Sequence, residues 1–206
     1  MCTLQDEITR FREWAPPAES QHGEWECEYE HWDRLWAAAI STIGQYADTV
    51  MPPNVTDALL YVLARDNECE HVRDHLVGSP QLLSALAAHA TGTKDADATW
   101  QIAVSLGEAK LENAAELIRP FLEDENEYVR RRSLMAFAPF APREAERIAL
   151  QNLTDAYEYT RIAALHVLDM IDSSHVATTL DALENDLNEY VRSSVRELRE
   201  KRQKKY

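Results

Sequence analysis

Three heptapeptides constrain the fold of this chain most strongly: Asp124-Glu-Asn-Glu-Tyr-Val-Arg130, Asp155-Ala-Tyr-Glu-Tyr-Thr-Arg161 and Asp186-Leu-Asn-Glu-Tyr-Val-Arg192, each 31 residues after the last. Four of the seven positions are identical in all copies, a fifth alternates Val with Thr, and no insertion breaks the period. The residues that follow repeat too: Ser133, Ala164 and Val195, then Ala136, Val167 and Leu198, then Phe137, Leu168 and Arg199. Counted from Val129, Thr160 and Val191, these positions trace one face of a helix. Upstream of each motif lies a second apolar stripe: Ala114, Leu117, Ile118 and Phe121; Ala145, Ile148, Ala149 and Leu153; Val176, Leu180 and Leu183. The repeating unit is therefore a helical hairpin. One hairpin this short cannot bury both apolar faces, so neighbours must stack and share a continuous core. The expectation is an all-α chain, a right-handed α-solenoid of about six antiparallel hairpins running as a single domain over residues 1–206.

The Asp-x-x-x-x-Val-Arg pattern, with a small residue four positions after the Val, resembles HEAT repeats of the short class first described in phycobilisome lyases; the likeness is closest over residues 110–203. The resemblance implies that Asp124, Asp155 and Asp186 sit in the turn before each second helix. It also implies that Arg130, Arg161 and Arg192 sit in that helix's first turn, the two sets forming a structural ladder between repeats. The physical sense agrees, because an acid before a helix N-terminus caps exposed N–H groups and an adjacent Arg can pair with a neighbouring copy.

Before residue 110 the repeat degrades. Residues 49–109 read as divergent repeats: Asn54 to Asp66 with Glu68 to Val77, then Pro80 to His89 with a helix around Thr99 to Ala103. Ser79-Pro80 is a sound helix start, and Pro52-Pro53 ends the helix expected from Tyr29 to Tyr46. Residues 1–48 read as an N-terminal cap in which Trp14, Trp25, Trp32 and Trp36 form the core, with a short helix from Thr3 to Trp14 and a long loop from Ala15 to Glu28. At the other end, Arg196 and Arg199 stand where earlier copies carry apolar residues, giving the last helix the polar outer face of a terminal repeat.

Composition excludes several classes. Five glycines in 206 residues, none after Gly107, starve the hairpin turns of a β-sandwich or barrel. Apolar runs such as Trp36 to Ile40 are far short of a membrane span. The start, MCTLQDEITRF, places acids where a secretory signal would be basic and then apolar, so the expected location is the cytoplasm. Cys2, Cys27 and Cys69 are odd in number and read as free thiols. Thirty-six acids against 21 bases give a net charge of −15, which repels a phosphate backbone and argues against nucleic acid. The tail from Arg196 to Tyr206 carries six bases and two acids, leaving −19 on the rest. Bases there complement the macrodipole of a final helix. The expected partner is a basic protein.

Signals for chemistry are weak. Cys69, His71 and His75 make the best metal candidate, since His residues four apart share a helix face, but three ligands on one short helix do not close a tetrahedral site. His22, Cys27 and His31, interleaved with glutamates, form a second possible cluster that reads more simply as a solvated acidic stretch. Deoxyhypusine hydroxylases share the HEAT-like architecture but need repeated His-Glu pairs, and no His here precedes a Glu. HEAT-like alkylpurine DNA glycosylases need a basic concave face, and no constellation points to the tetrapyrrole of the bilin lyases. No phosphate loop, nucleophile elbow or dinucleotide fingerprint is present. No catalytic residue, cofactor or metal is therefore expected.

The remaining feature is surface. Glu127 with Tyr128, Glu158 with Tyr159 and Glu189 with Tyr190 begin the second helices along one rim, and Arg131, Met135 and His166 are candidate residues of the inner face. The expectation is a non-catalytic adaptor or an inhibitor of the immunity type. The alternative is an accessory enzyme or lyase with a concave small-ligand pocket near the Trp-rich half.

Overall fold

The computed structural model describes residues 3–21, 24–92 and 95–204, with helices and turns but no β-strand among them. Cys2, His22, Gly23, Lys205 and Tyr206, on which parts of the thiol, second-cluster, loop and tail expectations rested, lie outside the described residues. The chain divides into two compact units, Met1–Glu112 and Asn113–Tyr206. Twelve α-helices are found among the described residues, six in each unit.

The first unit contains α1 (Leu4–Trp14), α2 (Trp32–Tyr46), α3 (Pro53–Arg65), α4 (His71–Val77), α5 (Pro80–Ala90) and α6 (Ala96–Glu108). Thr3 and Asp6 form a capping box that starts α1, and Leu4, Ile8 and Phe11 form its buried stripe. Phe11, fully buried, is the hub of an aromatic core. Its ring centroid lies 4.9 Å from Tyr29, 5.5 Å from Trp14 and from Trp32, and 5.8 Å from Trp25. The long connection is more ordered than its sequence suggests, with 3-10 turns at Ala18–Ser20 and Trp25–Glu28. For that reason α2 begins at Trp32 instead of Tyr29. Trp32 donates its indole N–H back to the Glu26 carbonyl at 2.8 Å, holding the second turn against the helix.

Asp66, the residue after α3, is buried and accepts from the Trp36 indole at 2.8 Å and from the Val72 amide at 2.7 Å. One carboxylate thus joins α2, α3 and the start of α4. Burial pushes its pKa up against these donors. The α4 helix starts at His71, three residues later than the apolar pattern implied, because Glu70 is left-handed at φ 54°. The core helix of this unit is α6, packed against α3, α4 and α5, with its Gln101 amide donating to the Leu63 carbonyl at 2.6 Å.

The second unit contains α7 (Ala114–Ile118, continued by a 3-10 turn at Arg119–Glu123), α8 (Glu127–Phe137), α9 (Pro142–Asn152), α10 (Glu158–Met170), α11 (Val176–Leu183) and α12 (Glu189–Gln203). These helices form three stacked hairpins, with α10 packed against both α8 and α12. The repeat positions are buried between them: Val129, Ser133 and Phe137; Thr160, Ala164 and Leu168; Val191, Val195 and Leu198. Arg199, at the position of Phe137 and Leu168, instead pairs with Asp181 and Glu184 at the surface. The C-terminal bases are held the same way, since Lys201 and Arg202 reach Asp169 at 2.9 and 2.7 Å.

Candidate protein-binding edge

Each turn that leads into α8, α10 and α12 is built by the same chemistry. The repeat Asp accepts from the amide two residues on, at 2.8 Å in all three copies: Asp124 from Asn126, Asp155 from Tyr157 and Asp186 from Asn188. The helix cap itself is the next residue in the relay, Asn126 or Asn188, whose side chain accepts from Tyr128 or Tyr190 at 2.8 Å. In the middle copy Tyr157 stands at the cap and supplies no side-chain acceptor. The repeat Arg folds back over the turn. Arg130, Arg161 and Arg192 each donate Nη1 to the carbonyl six residues earlier, at 2.7 to 2.8 Å. Arg161 also forms a bidentate pair with Asp186 of the next copy at 2.9 and 2.8 Å. Burial alone would raise the Asp186 pKa, but Arg161 and the Asn188 amide hold it below the ordinary range. The ion pairs at this edge are Arg161–Asp186 and Arg131–Glu127, so an equivalent Arg130–Asp155 pair does not close among the described residues.

These turns present the second unit's aromatic surface. Tyr128, Tyr157, Tyr159, Leu187 and Tyr190 are all exposed, Tyr190 to 62% and Leu187 to 100%. The Tyr159 and Tyr190 rings stack at 6.2 Å, and Tyr157 lies 5.6 Å from Tyr159. Of the residues the repeat singled out, Glu127, Tyr128 and Arg131 come together with Tyr159. The Arg131 guanidinium sits 4.3 Å from the Tyr128 centroid and 5.3 Å from that of Tyr159, with Nε 3.0 Å from Glu127. Thr160 adds a hydroxyl donor to the same Glu127 oxygen at 3.1 Å. Glu158 is half-buried, and Glu189 is exposed.

Met135 and His166 are half-buried further along α8 and α10. Burial keeps the His166 pKa below its usual value, so its imidazole is neutral at pH 7. Tyr157 and Leu187 were missed by sequence reasoning. They occupy the variable third and second motif positions, where an apolar or aromatic residue replaces a polar one, and attention to the invariant positions passes over them.

The Cys69, His71 and His75 candidate does not assemble, and His22 of the second cluster lies outside the described residues. The His71 ring packs 4.6 Å from Trp36, His75 turns Nδ1 to the His71 carbonyl, and Cys69 is an exposed free thiol, as is Cys27. Among the described residues no three His, Cys, Asp or Glu side chains converge to hold an ion. In the first unit, a groove of about 740 Å³ runs between α1, α2 and α3, lined by Leu4, Ala38, Thr42 and Val55. Glu7, paired with Arg34 at 3.0 Å and with Arg10, also lines it.

Residues 115–199 match the family model for HEAT repeats. This segment is HEAT-like. The match covers the three hairpins whose turns carry the tyrosines, and HEAT repeats commonly mediate protein–protein interaction. Curated proteins give no match to the chain. No described helix is long and apolar enough to cross a membrane.

Proposed function

We propose that the protein is a non-catalytic, cytoplasmic adaptor or inhibitor that binds a basic protein partner along the edge formed by Tyr128, Tyr159 and Tyr190 with their glutamates. The observation that carries this reading is the row of exposed rings along the three turns, alongside a chain charge of −15. Aromatic side chains bring contact area at small entropic cost, and the acids around them favour cationic partners. On the same reading residues 49–109 are diverged repeats that extend the HEAT-like array, and residues 1–48 cap it as one domain.

The test is affinity capture from source lysate with the wild-type protein and the Tyr128→Ala, Tyr159→Ala, Tyr190→Ala triple variant. A basic protein held in stoichiometric amount by the wild type, released by salt and lost from a folded triple variant is the expected result. Equal capture by both proteins overturns the reading. A second reading, a small-ligand accessory protein, is favoured by the first-unit groove with its buried Glu7; a ligand that protects the first unit from proteolysis would support it.

A further inference from the structure

The first copy of the repeat already holds a guanidinium, and it is the chain's own. Arg131 lies over the Tyr128 ring, reaches Tyr159 and pairs with Glu127, so a Glu-Tyr pair at a second-helix start is occupied by one arginine. One and two periods later the residues at the Arg131 position are Ile162 and Ser193, while Glu158-Tyr159 and Glu189-Tyr190 are retained. The hydroxyl that Thr160 gives Glu127 is also missing one period on, where Val191 stands. The Tyr159 ring still has Arg131 of the copy before it within 5.3 Å, whereas the last copy keeps the carboxylate and the ring with Ser193 in place of the arginine. Exposure agrees, at 36% for Tyr128 and 37% for Tyr159, which share Arg131, against 62% for Tyr190.

We infer that the Glu189-Tyr190 pair receives an arginine side chain of the partner, in the arrangement Arg131 adopts at Glu127-Tyr128. This rests on the protein-binding reading above and narrows the partner from basic to arginine-bearing. A planar guanidinium can lie on a ring and pair with a carboxylate together, as Arg131 does with Glu127 at 3.0 Å, whereas a lysine ammonium is a strongly hydrated point charge. The fitting segment is thus one that presents an exposed arginine.

The experiment is fluorescence anisotropy of a labelled Gly-Ser peptide carrying one arginine, beside its lysine and citrulline counterparts, titrated with the full chain. The arginine peptide is expected to bind about tenfold more tightly than the lysine peptide, with no binding of the neutral citrulline peptide. Ser193→Arg restores the internal cation beside Glu189 and Tyr190 and is expected to weaken arginine-peptide binding about tenfold, while Ser193→Ala leaves it unchanged. Circular dichroism and melting verify that both variants fold. Equal binding of arginine and lysine peptides, both lost in Tyr159→Ala with Tyr190→Ala, overturns the arginine assignment and leaves the protein-binding reading standing. Binding indifferent to the tyrosine substitutions overturns both. Absence of binding by every peptide overturns the arginine assignment alone, and lysate capture then decides the broader reading.

Discussion

At the scale of single residues, the middle copy of the repeat carries a defect that the other two lack. Asn126 and Asn188 cap α8 and α12, but Tyr157 caps α10 with no acceptor, leaving its first-turn amides without the bond the other copies make. Tyr157→Asn is expected to stabilise the second unit by about 0.5–1 kcal/mol, with a melting temperature about 2–4 °C higher. An unchanged or lower value in thermal denaturation would show that the Tyr157–Tyr159 contact outweighs the cap. The roles of the invariant residues were only partly legible. The Asp is visible as a turn residue from its place before a helix, but its partner is the amide two residues on, and the asparagine after it does the capping. That Arg131 lies across Tyr128 and Tyr159 depends on the packing of neighbouring copies, which no single motif encodes.

At the scale of elements, the repeat's helical face predicts the buried layer of the second unit because stacking leaves those positions no other environment. Ser133 and Thr160 are buried with the aliphatic residues at equivalent positions. The first unit was less legible. The α2 and α4 starts are displaced by a 3-10 turn and a left-handed Glu70, both fixed by tertiary contacts of Trp32 and Asp66 that local periodicity does not report. The polar end of α12 is attached to α10 through Asp169, whose side chain is 9% exposed. Burial would raise its pKa, but hydrogen bonds from Lys201 and Arg202 more than offset this and hold it below the ordinary range. Because the folded value lies below the unfolded one, near 4, this contribution is present above about pH 4 and disappears as pH falls through the folded value. Asp169→Asn is therefore expected to cost about 1.5–3 kcal/mol at pH 7 and progressively less below pH 4. Denaturant unfolding of both proteins at the two pH values checks it, and a pH-independent difference would remove the ionic attachment.

At the scale of the whole molecule, salt acts on the fold and on binding in opposite directions. A chain at −15 repels itself, and screening this repulsion favours the compact state. Opposing this are surface ion pairs that salt weakens, among them Arg119–Glu144 and Arg199–Asp181, whose exposure leaves each of them little weight. Arg161–Asp186, with both side chains nearly buried, is screened far less. The net-charge effect is expected to prevail, so the melting temperature at pH 7 should rise by about 2–4 °C between low and physiological salt. Capture of a basic partner should fall over the same interval, because the charges that destabilise the free chain attract the partner. Melting curves across a salt series check the first half. A falling melting temperature would mean that local ion pairs dominate the charge balance, and that loss of partner binding at high salt could no longer be separated from loosening of the fold.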